Sequence, residues 1–338
     1  MKFILLSGGS GKRLWPMSVG DKSKQFLKVY RNSDEGNEPE SMLQRAFRLL
    51  KKTCDKSDIL ISSTKNQKDI IYDQIGKNVN LVLEPEQKDT FPAIALAALY
   101  LKYLGEDSNS ILTIMPVDCL VDEEFYRFLS ENEQVINSSA FDILLIGVKP
   151  TYPTQKYGYI LRENSAEVSR VISFKEKPSA SKAAELIASG ALWNAGVFCV
   201  KLGYIVKLIE QKLGINDYST LQNSFGNLEK ISFDYAVLES SRNIGVRFYP
   251  GVWKDVGTWN TFVEEMATPT MGKVVHDPSC TNINVINQLN SPVMLSGVKD
   301  IIVVATEDGI LVASHNGSSY IKPLVERLEF EKPNDKLD

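Results

Sequence analysis

With 338 residues, 43% of them hydrophobic and 24% charged, the chain has an ordinary globular composition and room for one large domain plus a small appendage. A formal net charge of −4 supplies no basic field for gripping nucleic acid, and no apolar run nears the roughly 20 residues that span a bilayer. Cys54, Cys119, Cys199 and Cys280 are scattered without a CxxC pair, which argues against a disulfide framework or a zinc site and for a reduced, cytoplasmic setting.

The elements, in chain order, alternate short apolar runs with amphipathic stretches, the pattern of an α/β domain with a mainly parallel sheet. Residues 2–7 read as a buried first strand, too short an apolar run for a signal peptide, and run into a Gly-rich loop. Ser41 and Gln44 have capping-box spacing and open a helix to about residue 52. Strands follow over 59–62 and 81–83, with a helix between them over 67–75. A strongly apolar helix spans 91–104, with Thr90 as its N-cap and Pro92 in its first turn. Strands over 111–115 and 143–148 come next, the first ending at Pro116-Val117-Asp118. Beyond Pro150 the strands lengthen, over 157–161, 168–174 and 193–200, with helices over 181–189 and 204–213 and a Thr258-capped helix to about 266. Residues 267–272 read as a linker. The short apolar pieces after it have the rhythm of a small all-β module, a β-helix or β-roll. The expected domains are therefore 1–266 and 267–338, the second structural or oligomer-forming because its strands carry no charge cluster.

Histidine usage narrows the chemistry. The only two, His276 and His315, lie near the C-terminus, so a Ser-His-Asp or Cys-His centre has no place in residues 1–275. A metal held there would see oxygen ligands, which favours Mg²⁺ over zinc.

The Gly-rich loop reads Ser7-Gly8-Gly9-Ser10-Gly11-Lys12-Arg13-Leu14-Trp15-Pro16. Glycines straight after a first strand let backbone N–H groups approach an anion closely. A P-loop fails on spacing, because Leu6 stands at its first Gly and Arg13 follows Lys12; a dinucleotide GxGxxG fails because Leu14 stands at its third Gly. Lys12, Arg13 and Lys24 near one such turn make a polyphosphate cradle. The same residues would otherwise be a tight turn with incidental basic neighbours.

GGSGKRLWP followed by KSKQFL resembles the signature region of the sugar-nucleotide pyrophosphorylases, specifically the mannose-1-phosphate guanylyltransferases. Similar stretches follow in the family's order: EPEQKDTFPAIALAAL from Glu84, MPVD from Met115, YGYI from Tyr157, FKEKP from Phe174, WNAGVF from Trp193, FDYAVLE from Phe233 and WKDVGTW from Trp253. The resemblance covers the chain to about Met266 and implies a Rossmann-like nucleotide-diphospho-sugar transferase fold. It further implies direct in-line attack of a sugar 1-phosphate on the α-phosphorus of GTP, with Mg²⁺ and no general base.

By the same resemblance Gly8, Gly9, Ser10 and Gly11 supply close backbone, Arg13 and Lys24 hold the triphosphate, and Glu84, Asp89 and Thr90 lie in the stretch facing the base. Asp118 and Asp255 match the metal carboxylates. Gly158, Glu176 and Asn194 match the sugar site, and Lys177 the residue gripping the sugar phosphate. The chain departs from the family at Asp89-Thr90-Phe91-Pro92-Ala93 (usually NTAPA), at Cys119 (usually His) and at Leu161 (often Glu). The expected partners are GTP and a sugar 1-phosphate, with no nucleic acid or membrane, in a homodimer. Another sugar such as a heptose, another base, or a non-catalytic sugar-nucleotide-binding subunit stays open at this point.

Overall fold

The computed structural model describes residues 1–9, 14–19, 23–31, 34, 38–266 and 268–330. The chain divides into two compact units, one of residues 1–8 with 46–254, the other of residues 9–45 with 255–338.

The first unit is built on a nine-stranded sheet: β1 (Lys2–Leu6), β2 (Ile59–Thr64), β3 (Asn80–Glu84), β4 (Ile111–Pro116), β5 (Ile143–Val148), β6 (Tyr159–Arg162), β7 (Val168–Lys175), β8 (Leu192–Lys201) and β9 (Ile244–Tyr249). Their order across the sheet is β3-β2-β1-β4-β8-β5-β9-β7-β6, with β8 also meeting β6. Pairing is parallel through β3, β2, β1 and β4 and again between β5 and β9. It is antiparallel at β4–β8, β8–β5, β9–β7, β7–β6 and β8–β6. The sheet is thus mixed, though with more antiparallel pairing beyond β4 than the mainly parallel mixed sheet that the sequence suggests.

Strands such as ILLIGV in β5 are buried at every residue, as expected where both faces of a sheet are covered. One cover is the helix Thr90–Tyr103, buried continuously from Phe91 to Leu99 and packed on β1, β2 and β3 as well as on the helices Leu202–Leu213 and Tyr218–Ser224. Ile94, Leu96, Leu145, Phe198, Ile205 and Phe233 belong to its single large core. Thr90 is the first helical residue and not the cap. Asp89 is the cap, with φ 71° and a carboxylate oxygen accepting from the Thr90 N–H at 2.7 Å.

Two elements escape the sequence reading together. The helix Glu123–Ser138, capped by Asp122, carries a buried stripe of Phe125, Leu129, Asn132 and Ile136, in which Asn132 interrupts the apolar signal. Strand β9 is equally obscured by Arg247, which is 6% exposed. Each explains the other: the guanidinium donates to Asn132 Oδ1, Phe128 O, Glu131 and Glu167, so the buried cation is partnered at every nitrogen and Asn132 supplies one of the acceptors.

In the second unit the strands Thr270–Met271, Thr281–Asn287 and Lys299–Thr306 form a parallel ladder, closed by Gly309–Ser314 running antiparallel. Val274–His276 pairs in parallel with Val293–Leu295. Ile283, Val285 and Val303 form the core between them. The segment is not purely β, because a helix follows at Ile321–Phe330. Thr258 caps the helix Trp259–Val263 through a reciprocal bond pair with Thr261, and the Trp259 indole N–H donates to the Trp15 carbonyl at 2.9 Å. The Ser41–Gln44 capping box forms as its spacing predicts, with bonds of 3.0 and 3.1 Å. Among the described residues no helix is long and apolar enough to cross a membrane.

Candidate active site

In the first unit the chain leaves β1 toward β2 and β3 on one side, then returns to place β4 on the other. The carboxyl ends of β1 and β4 therefore flank a topological switch point, where open α/β sheets hold ligands. Gly8 follows β1 there. Asp118, half-buried, sits in the turn after β4, and that turn is tied to β1 by the Val117 N–H donating to the Leu6 carbonyl at 3.2 Å. Ser10, Gly11, Lys12 and Arg13 lie outside the described residues.

Glu84 ends β3 directly beneath this point. It is 4% exposed, and a Cβ added to Gly8 would stand 3.4 Å from its Oε1. Burial pushes its carboxyl up to about 7; the nearby Ser62 hydroxyl acts against the rise and the Asp89 charge adds to it. Glu84 is thus an interior acid lying against Gly8. The Thr90 hydroxyl accepts from the Phe233 N–H at 2.8 Å, and Asp89 caps the helix Thr90–Tyr103, so both side chains have bonds within the chain.

The matched sugar residues gather at the same edge, because β8 runs antiparallel to β4 and its start overshoots the end of that strand. The ladder is irregular between Asn194 and Phe198, with Gly196 at φ 71°. The Asn194 N–H donates to the Gly158 carbonyl at 2.8 Å. Its amide is held at both ends: Oδ1 accepts from the Gly196 N–H at 3.1 Å, and Nδ2 donates to Asp234 Oδ1 at 2.8 Å.

Glu176, 6% exposed, pairs with the Lys177 ammonium at 2.7 Å. A Cβ on Gly158 would stand 2.7 Å from Glu176 Oε2 and 2.8 Å from the Phe174 ring, so only glycine leaves room for that carboxylate. Lys177 has φ 42° immediately before Pro178, a conformation L-residues rarely adopt and one that clusters at functional sites. Burial alone would lower the Lys177 pKa, but the Glu176 bond and charge, with Asp234 beyond, hold it above the ordinary lysine value.

The motif FDYAVLE marks this stretch in the sequence, but only the structure shows that Asp234 within it reaches the cluster. It begins the π-helical turn Asp234–Leu238, a rare element often found at functional sites. Burial and then the Glu176 charge raise its carboxyl to about 6, with Lys177 and Asn194 acting the other way.

The second unit gathers its own set. Ser23 Oγ donates to the Gly9 carbonyl at 2.6 Å, and the adjacent Lys24 is 8% exposed. Lys24 Nζ donates to the Val256 carbonyl at 3.3 Å and lies 3.7 Å from the Asp255 carboxylate. Among the described residues no group of three or more His, Cys, Asp or Glu side chains could hold a metal ion.

A family model described as nucleotidyl transferase matches residues 2–271. A Vibrio cholerae serotype O1 protein provisionally named as a mannose-1-phosphate guanylyltransferase is 31% identical to this chain, with 97% of this chain and 74% of that protein covered. An Escherichia coli protein named mannose-1-phosphate guanylyltransferase is 29% identical, with 96% and 75% covered. A Thermus thermophilus crystal structure, described as a mannose-1-phosphate geranyltransferase, has a TM-score of 0.81 at 26% identity, covering 97% of this chain and 99% of that one. The family match takes in all nine strands of the sheet, the switch-point loop, the Glu176–Asn194 cluster and Asp255, and the chain belongs to the nucleotidyl transferase family.

Proposed function

We propose that the chain transfers a guanylyl group from GTP to mannose 1-phosphate, giving GDP-mannose and pyrophosphate. The observation that supports it best is the cluster of Gly158, Glu176, Lys177 and Asn194 at the sheet edge that also carries Gly8 and Asp118. It offers one cation for a phosphate beside an amide and a carboxylate for sugar hydroxyls.

In this reading an oxygen of the sugar phosphate forms the new bond to the α-phosphorus while the bond to the β-phosphate oxygen breaks, and pyrophosphate leaves. The nucleophile is already ionised, so catalysis consists of positioning and charge neutralisation. Lys177 grips the sugar phosphate, while Glu176 and Asn194 orient the hydroxyls. Backbone N–H groups of residues 8–11 and the side chains of Arg13 and Lys24 receive the triphosphate, and Arg13 meets the charge growing on pyrophosphate. The stretch holding Glu84, Asp89 and Thr90 forms the floor and base end of the nucleotide subsite.

Asp118 and Asp255 would hold Mg²⁺. Their donor chemistry fits, being all oxygen, and so few protein ligands match an ion that keeps waters and substrate oxygens around it. When bound, the ion neutralises the repulsion between the two phosphate groups. Residues 1–266 act as the catalytic domain, the rungs over 270–314 as a short β-helix, and the protein works as a cytoplasmic homodimer.

Pyrophosphate release over a matrix of four nucleoside triphosphates and several sugar 1-phosphates tests this. GTP with mannose 1-phosphate should give the highest kcat/KM. A preference for UTP, CTP or dTTP overturns the base, a preference for another sugar overturns mannose, and no turnover with any pair overturns the transfer itself.

A further inference from the structure

We infer that Asp234 and Glu239, at the two ends of one short turn, are positioning residues that fix Asn194 and Glu176 for the sugar 1-phosphate. The assignment rests on the transfer reading above.

A free asparagine amide rotates and presents its donor and acceptor ends alternately. Asn194 has no such freedom, because Oδ1 takes the Gly196 N–H and Nδ2 gives one N–H to Asp234. Of the two Nδ2 hydrogens, one therefore remains for a ligand, in a fixed direction. The acceptor at position 234 holds the Nδ2 end and the Gly196 N–H the Oδ1 end, and together they enforce that orientation.

Glu239 acts on the neighbouring motif. Its Oε1 accepts from the Glu176 backbone N–H at 3.4 Å and from Lys175 Nζ at 3.3 Å, anchoring the backbone from which the Glu176 carboxylate projects.

The turn itself is pinned at its entry. The Phe233 N–H donates to Thr90 Oγ1 at 2.8 Å, and the Phe233 ring stacks on Phe198 with centroids 4.3 Å apart and planes 6° from parallel. Phe198 lies on β8, the strand that carries Asn194. One segment thus grips the start of the helix Thr90–Tyr103, the β8 bulge and the Glu176 backbone, so a shift in any of them is resisted by the others. Burial keeps the cost of rearranging these polar groups high. Neither Asp234 nor Glu239 is assigned a contact with substrate; they act through Asn194 and Glu176, and a misplacement of about 1 Å in such a group can cost on the order of 100-fold in rate.

The test measures kcat and KM for each substrate in the wild type, Asp234→Ala, Asp234→Asn and Glu239→Ala, with thermal melts alongside. Asp234→Ala should raise the sugar 1-phosphate KM and lower kcat by a combined factor of roughly 10–100, leaving the triphosphate KM within about twofold. Asp234→Asn keeps an acceptor oxygen and should recover most of the loss. Glu239→Ala should show the same selective rise in sugar-phosphate KM, and it carries the test if Asp234→Ala does not fold. Equal losses in Asp234→Ala and Asp234→Asn, or losses shared equally by both substrates, overturn the inference. A wild type that turns over normally while Asp234→Ala keeps its sugar-phosphate KM sinks the positioning role alone; a wild type inactive with every substrate pair sinks the transfer reading on which it rests.

Discussion

The Lys24 ammonium stands 3.7 Å from the Asp255 carboxylate and also bonds the Val256 carbonyl. A residue assigned to the triphosphate thus neutralises a carboxylate assigned to the metal. On the proposed roles, Lys24 and a divalent cation would compete for the same oxygens before substrate arrives. Lys24→Ala should lower turnover by about 100-fold through loss of a phosphate contact. It should also reduce the Mg²⁺ concentration for half-maximal rate, because Asp255 no longer carries a competing cation. Asp255→Asn should raise that midpoint. Initial rate against Mg²⁺ separates the cases, and a raised midpoint in Lys24→Ala would refute the competition.

Arg13→Ala should lower kcat far more than it weakens GTP binding, since charge on the departing pyrophosphate grows only in the transition state. Loss of one such donor costs roughly 2.7–4 kcal/mol. A mutant with unchanged kcat and only a raised KM would show that Arg13 merely binds.

Gly158→Ala forces a methyl against Glu176 Oε2 and the Phe174 ring at 2.7 and 2.8 Å. Overpacking of this kind costs about 1–3 kcal/mol. Because Glu176 is what must move, the sugar 1-phosphate KM should rise about tenfold while the triphosphate KM holds. Steady-state kinetics with each substrate varied in turn would reveal a uniform loss instead.

Glu84 makes stability depend on pH. Its folded pKa, raised to about 7 from an ordinary 4.5 chiefly by burial, lets the native state keep a proton the unfolded chain has released. Native then binds more protons than unfolded, so stability falls as pH climbs from about 4.5 to about 7 and stays lower above that. The full effect is on the order of 3 kcal/mol at 1.36 kcal/mol per unit. Glu84→Gln keeps the side chain's size without a charge to bury, so its melting temperature should exceed wild type at pH 8 and match it at pH 4.5. Melts that differ by the same amount at both pH values would discount the buried charge.

The C-terminal segment has a closer tie to the proposed nucleotide subsite than the lack of a charge cluster in its strands suggests. Gly309, at φ 149°, packs so near Trp15 that a Cβ there would lie 2.5 Å from the indole. Trp15 closes the GGSGKRLW stretch. Gly309→Ala should therefore raise the triphosphate KM severalfold and leave the sugar-phosphate KM alone. Unchanged kinetics would confine residues 309–314 to a purely architectural role.

The sequence by itself determined what backbone chemistry decides locally. The Ser41–Gln44 and Thr258 caps, the buried strands at 2–6, 59–64 and 143–148, and the short-range order Gly8-Gly9 all follow from propensities and side-chain bonds spanning a few residues. Ordered motifs carried the family as well, because residue identity survives without knowledge of neighbours. Only the tertiary structure decided which distant groups satisfy one another. Asn194 and Asp234 are 40 residues apart, and Lys24 and Val256 are separated by 232. Arg247 reads as a misfit in a strand until Asn132 and two glutamates from other elements close around it. Such pairs depend on strand order and on the direction in which β8 crosses the end of β4. That is a property of chain topology, to which local propensity is blind, because a buried polar group is stable only once its partner has been brought to it.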